Sequence, residues 1–171
     1  MIILMIISAP YRMKRIFAFL DPFQDPLGSG FQMIQSLYAI GPGGILGSGF
    51  DQSIQKHFYL PEPQTDFIFA IIGEELGFVG CCGVIILLLL IVIECILIGL
   101  KAKDTGGRII CGGVASLIGI QSFINVSVAT MIFPNTGLSL PFVSYGLTSV
   151  VCFFMGIGFV LNVGLQPNKY Q

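Results

Sequence analysis

The chain has no tryptophan, a single histidine, and charged side chains at only 10% of its 171 positions. Soluble domains carry about a quarter charged residues, so this sequence cannot clothe a water-facing surface of ordinary polarity, and a typical soluble enzyme is excluded. The formal net charge is -1, from 8 basic and 9 acidic residues. With no basic field to hold a polyanion, nucleic-acid binding is excluded as well. The lone His57 has no second histidine or nearby cysteine, so it does not make a metal site. The five cysteines, Cys81, Cys82, Cys95, Cys111 and Cys152, lie in apolar stretches without zinc-site spacing and read as buried, unreactive thiols.

What the chain has in abundance is apolar length. Hydrophobic residues make up 54% of it, and the 22 glycines and 9 prolines sit within apolar runs, as they do in membrane proteins. A spanning helix needs about 20 mainly apolar residues. Leu76–Leu100 supplies one, interrupted only by Glu94, which is read as reaching toward the cytoplasmic interface. Ile109–Asn168 has no charged residue and is long enough for two crossings around a turn at Phe133-Pro134-Asn135-Thr136-Gly137. A charge-free stretch from Pro26 to Phe50 reads as a helix from Leu27 to Ile40, then loosened backbone at Gly41-Pro42-Gly43-Gly44 that must face protein or water.

The fold expected is therefore all-α: a polytopic membrane protein with about four transmembrane helices, a helix stub and a large extracellular loop. Residues 1–9 are the end of a helix, 10–26 a cytoplasmic loop, 27–46 the first span and 47–75 the extracellular loop. Spans at 76–100, 108–132 and 141–165 follow, joined by a cytoplasmic loop at 101–107 and an extracellular turn at 133–140, with a cytoplasmic tail at 166–171. Met1–Ala9 is too short to span and reads as the last turns of a helix, so the chain is expected to be the C-terminal part of a larger protein. Charge placement supports the layout. Arg12, Lys14, Arg15, Lys101, Lys103, Arg108 and Lys169 fall on one side and only Lys56 on the other, which puts the C-terminus in the cytoplasm.

The candidate chemistry lies in the outer loop, where Asp51, Glu62, Asp66, Glu74 and Glu75 gather. Thr65 and Asp66 are both placed to cap the helix that follows Pro61 and Pro63. With Phe67, Ile68 and Phe69 beside it, Asp66 sits at the membrane edge, where partial desolvation raises a carboxyl pKa toward the range of a general base. The plain alternative is that Asp66 is only a cap. Glu74 and Glu75 read as interfacial residues tilted into water. Lys56 and His57, next to Phe58-Tyr59, fit either an interfacial belt or a site for an anionic headgroup such as a diphosphate. Gly28-Ser29-Gly30 and Gly41-Pro42-Gly43-Gly44 are not nucleotide loops, since no strand precedes them and no Lys-Ser/Thr follows.

Five stretches carry a resemblance. They are Pro10-Tyr11-Arg12-Met13-Lys14-Arg15 with Phe19-Leu20-Asp21-Pro22; Gly30-Phe31-Gln32 with Gln35-Ser36 and Ala39-Ile40-Gly41; Tyr59-Leu60-Pro61-Glu62 through Thr65-Asp66-Phe67-Ile68-Phe69-Ala70; Gly73-Glu74-Glu75-Leu76-Gly77; and Gln121 with Asn125, then Pro134, Thr136-Gly137, Leu140-Pro141-Phe142 and Ser144-Tyr145-Gly146. In this order they resemble the C-terminal portion of the SEDS family, the group of FtsW, RodA and SpoVE, and Pro63-Gln64 looks closer to the FtsW and SpoVE branch. Phe23, where tryptophan is frequent, and Leu147, where a second glycine is usual, depart from the pattern.

The resemblance implies a peptidoglycan glycosyltransferase of the bacterial plasma membrane that polymerises lipid II beside a class B penicillin-binding protein. It implies Asp66 as the catalytic carboxylate. It implies that Lys56, Glu62, Gln64, Glu74, Glu75, Gln121, Asn125 and Ser144 bind substrate, with Pro134 and Pro141 shaping the cavity. A lipid-II transporter and an inactive membrane scaffold are the alternatives. No metal ligands are identified and the cofactor is open, a divalent cation such as Mg2+ being compatible with a diphosphate leaving group. The spans are expected to provide a lateral groove for the polyprenyl tail.

Overall fold

In a computed structural model, residues 19, 21–22, 31–49 and 66–165 are described. All regular elements among them are helices: α1 (Phe31–Gly43), α2 (Ile68–Lys101), α3 (Thr105–Ala129) and α4 (Leu147–Leu165). Three of these, α2, α3 and α4, are long and apolar enough to cross a membrane. In a hydrocarbon medium a helix satisfies its own backbone, which is why runs rich in isoleucine and valine, poor helix formers in water, become helical here. Only 11% of the most apolar window of α2 is buried within the chain, so most of its surface is left for lipid or for further protein. α2 packs chiefly on α3 and on α1, and α4 closes against both α3 and α2. The buried contacts run along these seams: Cys95, Cys111, Ala115 and Val160 near one end, Phe69, Leu88, Ala129 and Leu140 nearer the other.

The link between α2 and α3 is short and closed by side chains. Asp104 stands at the α3 N-cap with extended backbone, and its carboxylate accepts from the Gly107 amide at 3.0 Å. The Arg108 Nε donates to the Ala102 carbonyl at 3.0 Å, just past the C-terminus of α2. Both contacts satisfy backbone groups that a helix end leaves open.

The unusual feature is in α2, which is broken at Gly77 (φ 66°, ψ -163°). That conformation is essentially reserved for glycine. A break frees carbonyls on one side and amides on the other, and residues 44–49 take up both sets. Ser48 and Gly49 amides donate to the Glu74 and Glu75 carbonyls at 2.9 and 3.1 Å. Phe78 and Val79 amides donate to the Gly44 and Ile45 carbonyls at 3.0 and 3.2 Å. The two backbones approach so closely that a Cβ on Gly77 would lie 2.7 Å from the Ile45 carbonyl oxygen, and one on Gly43 would lie 3.1 Å from the Glu74 Cα.

Several expected bounds are corrected. Of the first span, expected at 27–46 with a loosened backbone from Gly41, residues 27–30 lie outside the described residues, and the described part is a helix that runs through Pro42 to Gly43. Pro42 is next to the helix end, so it removes a single backbone bond, and the irregular backbone starts at Gly44 (φ 53°) instead. The helix expected after Pro61 and Pro63 starts at Ile68 and runs into the second span, and the break at Gly77 falls where that span was expected to begin. Glu74 and Glu75 are consequently buried, at 4% and 8% exposure, and not tilted into water, because the α1–α2 crossing covers them. The turn expected at 133–140 is wider. Residues between Ala129 and Leu147 are non-helical, with Phe142 in the left-handed region (φ 62°). All five cysteines are free, but only Cys95 and Cys111 are buried; Cys81 and Cys82 are partly buried, and Cys152 is exposed on a face of α4 that the chain does not cover. Glu94 is on an exposed face of α2. The segments 1–9, 50–65 and 166–171, and most of 10–26, lie outside the described residues.

Three substitutions test this account. Gly77→Ala adds a strained φ and a clash with the Ile45 backbone, and is expected to cost more than about 3 kcal/mol or to prevent folding. Gly83→Ala, with open space around it, is expected to change stability by less than about 1 kcal/mol; thermal unfolding in detergent reads both. Asp104→Ala removes the α3 cap and is expected to cost about 1 kcal/mol in the same measurement.

Candidate functional site

Asp66 directly precedes the first turn of α2 and is half-buried. The cap position itself is taken by Phe67, which contributes no side-chain cap bond. Phe67 is instead an anchor. It is 1% exposed and packs on Val128 and Ile124 of α3, so hydrophobic burial holds the chain down immediately beside the carboxylate.

The main chain of Asp66 is held by a second contact. Asn125 of α3 is 1% exposed. Its Nδ2 donates both to the Asp66 carbonyl at 2.9 Å and to the Leu138 carbonyl at 2.7 Å. Its Oδ1 is buried and has no hydrogen-bond partner among the described residues. One turn earlier on α3, Gln121 Nε2 donates to the Ser139 carbonyl at 2.9 Å. The 130–146 segment is therefore fastened to α3 at two adjacent carbonyls.

The same segment is tied to its other neighbours by polar contacts. Ser139 and Ser149 share a hydroxyl–hydroxyl bond at 3.0 Å, which reaches α4. Asn135 Nδ2 donates to Gln32 Oε1 of α1 at 3.1 Å, while Asn135 Oδ1 accepts from the Gly137 amide at 3.0 Å. Ser36 of α1 donates to the Met33 and Ala129 carbonyls at 2.9 and 3.3 Å. Within the segment, the buried Ser144 Oγ accepts from the Leu140 amide at 2.7 Å and closes the turn around Pro141. The strained Phe142 is held between Phe153 and Phe154 of α4, each with ring centroids 5.4 Å away. A left-handed aromatic persists only where such packing over-determines it.

Of the residues singled out from the sequence, the structure brings Asp66, Asn125 and Gln121 to one end of the α2–α3 pair, with the 130–146 segment across it. Ser144 serves the internal turn of that segment. Glu74 and Glu75 lie about 12 Å further along the helix axis at 1.5 Å per residue, at the crossing with α1. Lys56, Glu62, Gln64 and His57 lie outside the described residues. Phe67, Ser36 and the Ser139–Ser149 pair were not singled out. A buried aromatic next to the candidate carboxylate was a usable signal for the first, whereas the others depend on partners far away in the chain. Among the described residues no three His, Cys, Asp or Glu side chains come together as metal ligands.

Beside this end of the bundle runs an apolar lateral groove of about 300 Å³ between α2 and α3, walled by Ile85, Leu88, Leu89, Val92, Phe123 and Val126. Ser122 also borders it, but its hydroxyl is turned back to the Ile118 carbonyl at 2.7 Å. The groove thus has hydrocarbon walls, and one of them, Val126, follows Asn125 on α3.

Comparison with known proteins gives the chain its relatives. Stage V sporulation protein E of Bacillus subtilis is 56% identical over 161 residues, covering 93% of this chain and 43% of that protein. A protein named as a probable peptidoglycan glycosyltransferase FtsW, from a Geobacter species, is 44% identical over 95% of this chain and 44% of its own length. The chain therefore spans less than half the length of these curated relatives. Among solved structures, a chain from a peptidoglycan synthase complex, described for its structural coordination of polymerization and crosslinking, superposes with a TM-score of 0.70 at 34% identity, over 95% of this chain and 44% of that one. The crystal structure of an aspartate-to-alanine mutant of the Thermus thermophilus rod shape determining protein RodA gives a TM-score of 0.59 at 33% identity, over 80% of this chain and 40% of that one. The family described as cell cycle protein, which groups FtsW, RodA and SpoVE, matches residues 1–169. With the match running over nearly its whole length, the chain belongs to the FtsW/RodA/SpoVE family of cell cycle proteins.

Proposed function

We propose that this chain supplies the catalytic carboxylate of a peptidoglycan glycosyltransferase that polymerises lipid II for septal or spore cell-wall synthesis. The observation that supports the reading is the presence of two unlike features on the same pair of helices: a half-buried Asp66 anchored at the head of α2 by Asn125 of α3, and a hydrocarbon groove between α2 and α3. A lipid-linked sugar needs both. Its prenyl tail requires an apolar channel, and its sugar must remain at the membrane edge where a polar acceptor can reach it.

The chemistry asks for one base. The acceptor sugar hydroxyl attacks C1 of the donor sugar on the face opposite the lipid diphosphate, which inverts that carbon. As the new C–O bond forms, the C1–O bond to the diphosphate breaks, and the leaving group departs with the electron pair. Diphosphate is a good leaving group and needs no proton, so the paired acid and base of glycoside hydrolysis reduce to a single carboxylate. Asp66 takes the proton of the attacking hydroxyl. The departing negative charge calls for a cation near the headgroup, for which Lys56 is the outer-loop candidate and a divalent ion such as Mg2+ the other.

The charge distribution of the sequence supports an orientation with Asp66 outward and the C-terminus cytoplasmic, in a bacterial plasma membrane. The solved neighbour from a peptidoglycan synthase complex supports a class B penicillin-binding protein as the partner that crosslinks the strands.

The test is polymerisation of purified lipid II by the chain in lipid vesicles, both alone and together with the N-terminal part of its Bacillus relative. Asp66→Asn is expected to lower the rate at least about 100-fold, with protein level and melting temperature unchanged. An unaltered polymerisation rate in Asp66→Asn overturns the assignment, and loss of lipid II transport with polymerisation intact would point to the transporter reading instead.

A further inference from the structure

We propose that Asn125 is a positioning residue that fixes Asp66 against the 130–146 segment, and is not a group that touches substrate; the inference rests on the reading of Asp66 as the base. The argument begins with two backbone carbonyls that have no helical donor. Asp66 precedes α2 and Leu138 lies in the non-helical segment before α4. In an apolar surrounding each such carbonyl needs a donor. Asn125 serves both from one nitrogen, at 2.9 and 2.7 Å.

Few side chains can do this. A hydroxyl has one hydrogen, which it can only share between two carbonyls as Ser36 does, and a carboxylate has none, whereas a primary amide has two held in a plane. Joining both carbonyls to one planar group fixes their separation and orientation. Leucine, close to asparagine in bulk, fills the space but joins nothing. At 1% exposure the Asn125 side chain is enclosed by protein, with both amide hydrogens already engaged, so it has no donor to turn toward a substrate.

The neighbouring contacts act in the same direction. Phe67, the next residue after Asp66, is buried on Ile124 and Val128, which flank Asn125 on α3. One stretch of α3 therefore grips two consecutive residues, the first by hydrogen bonding and the second by packing. The main chain of Asp66 is thereby fixed in place beneath its short side chain. For proton transfer this matters, because a displacement of about 1 Å in a reacting group can cost on the order of 100-fold in rate.

The sequence itself offers a clean spectroscopic probe. Asp66-Phe67 is the only Asp-Phe step in the chain, so labelling with [1-13C]Asp and [15N]Phe marks a single peptide bond, and its carbonyl resonance in vesicles reports the bond to Asn125. In Asn125→Leu this resonance is expected to move upfield and broaden. Lipid II polymerisation, measured as in the preceding section, is expected to lose at least tenfold in kcat with KM within twofold of the parent. Asn125→Ser, smaller and more readily folded, is expected to act in the same direction should the leucine variant fail to fold. An unmoved carbonyl resonance in a folded variant overturns the proposal. So does a rise in KM at unchanged kcat, which would mean that Asn125 contacts substrate. If the resonance moves while Asp66→Asn still polymerises, the brace stands and the assignment of Asp66 as the base falls.

Discussion

A backbone carbonyl or amide in hydrocarbon has no water to turn to, and at two departures from regular helix among the described residues the partner is brought from elsewhere in the fold. Where α2 is broken at Gly77, residues 44–49 supply two amides and two carbonyls. Where the chain enters α2 at Asp66 and crosses the end of the bundle at Leu138, a single amide on α3 supplies both hydrogens. The requirement explains why a chain so poor in charge still keeps buried polar residues such as Ser36, Asn125 and Ser144. They complete the irregular backbone.

This has a consequence for the site. Regular spans alone would make a smooth bundle without a place for chemistry. The irregular segments are what bring a carboxylate to the head of a helix and lay a loop across it, and their hydrogen bonds are what make that arrangement stiff. Preorganisation of this kind is the usual structural requirement for placing a base within reach of a hydroxyl. The hydrocarbon groove asks nothing of the backbone, since α2 and α3 are regular where they line it, with Gly119 facing Val92.

Glu74 and Glu75 show how a site can be misread from local pattern. Two adjacent acids near the start of an apolar run suggest a wet interface. In the structure they fall at the closest approach of two backbones, where the surrounding glycines allow contact and the side chains are enclosed by it. Nothing within ten residues on either side distinguishes these settings, because the covering segment, 43–49, is a separate part of the chain.

The sequence by itself determined the class of the molecule. The near absence of charge points to a membrane, and continuous apolar runs of about 20 residues fit spanning helices rather than the shorter alternating strands of a barrel. Motif order carried the family, and Asp66 stood out as a carboxylate next to aromatic and aliphatic neighbours. Only the tertiary structure decided where α2 begins and breaks, that Phe67 rather than Asp66 occupies its cap, and that Asn125 joins two carbonyls lying 59 and 13 residues away from it. The physical reason is range. Hydrophobicity and helix propensity are summed over neighbours along the chain, whereas the partner of a freed backbone group is whichever polar atom the packing of distant helices brings within 3 Å, and no local pattern encodes that choice.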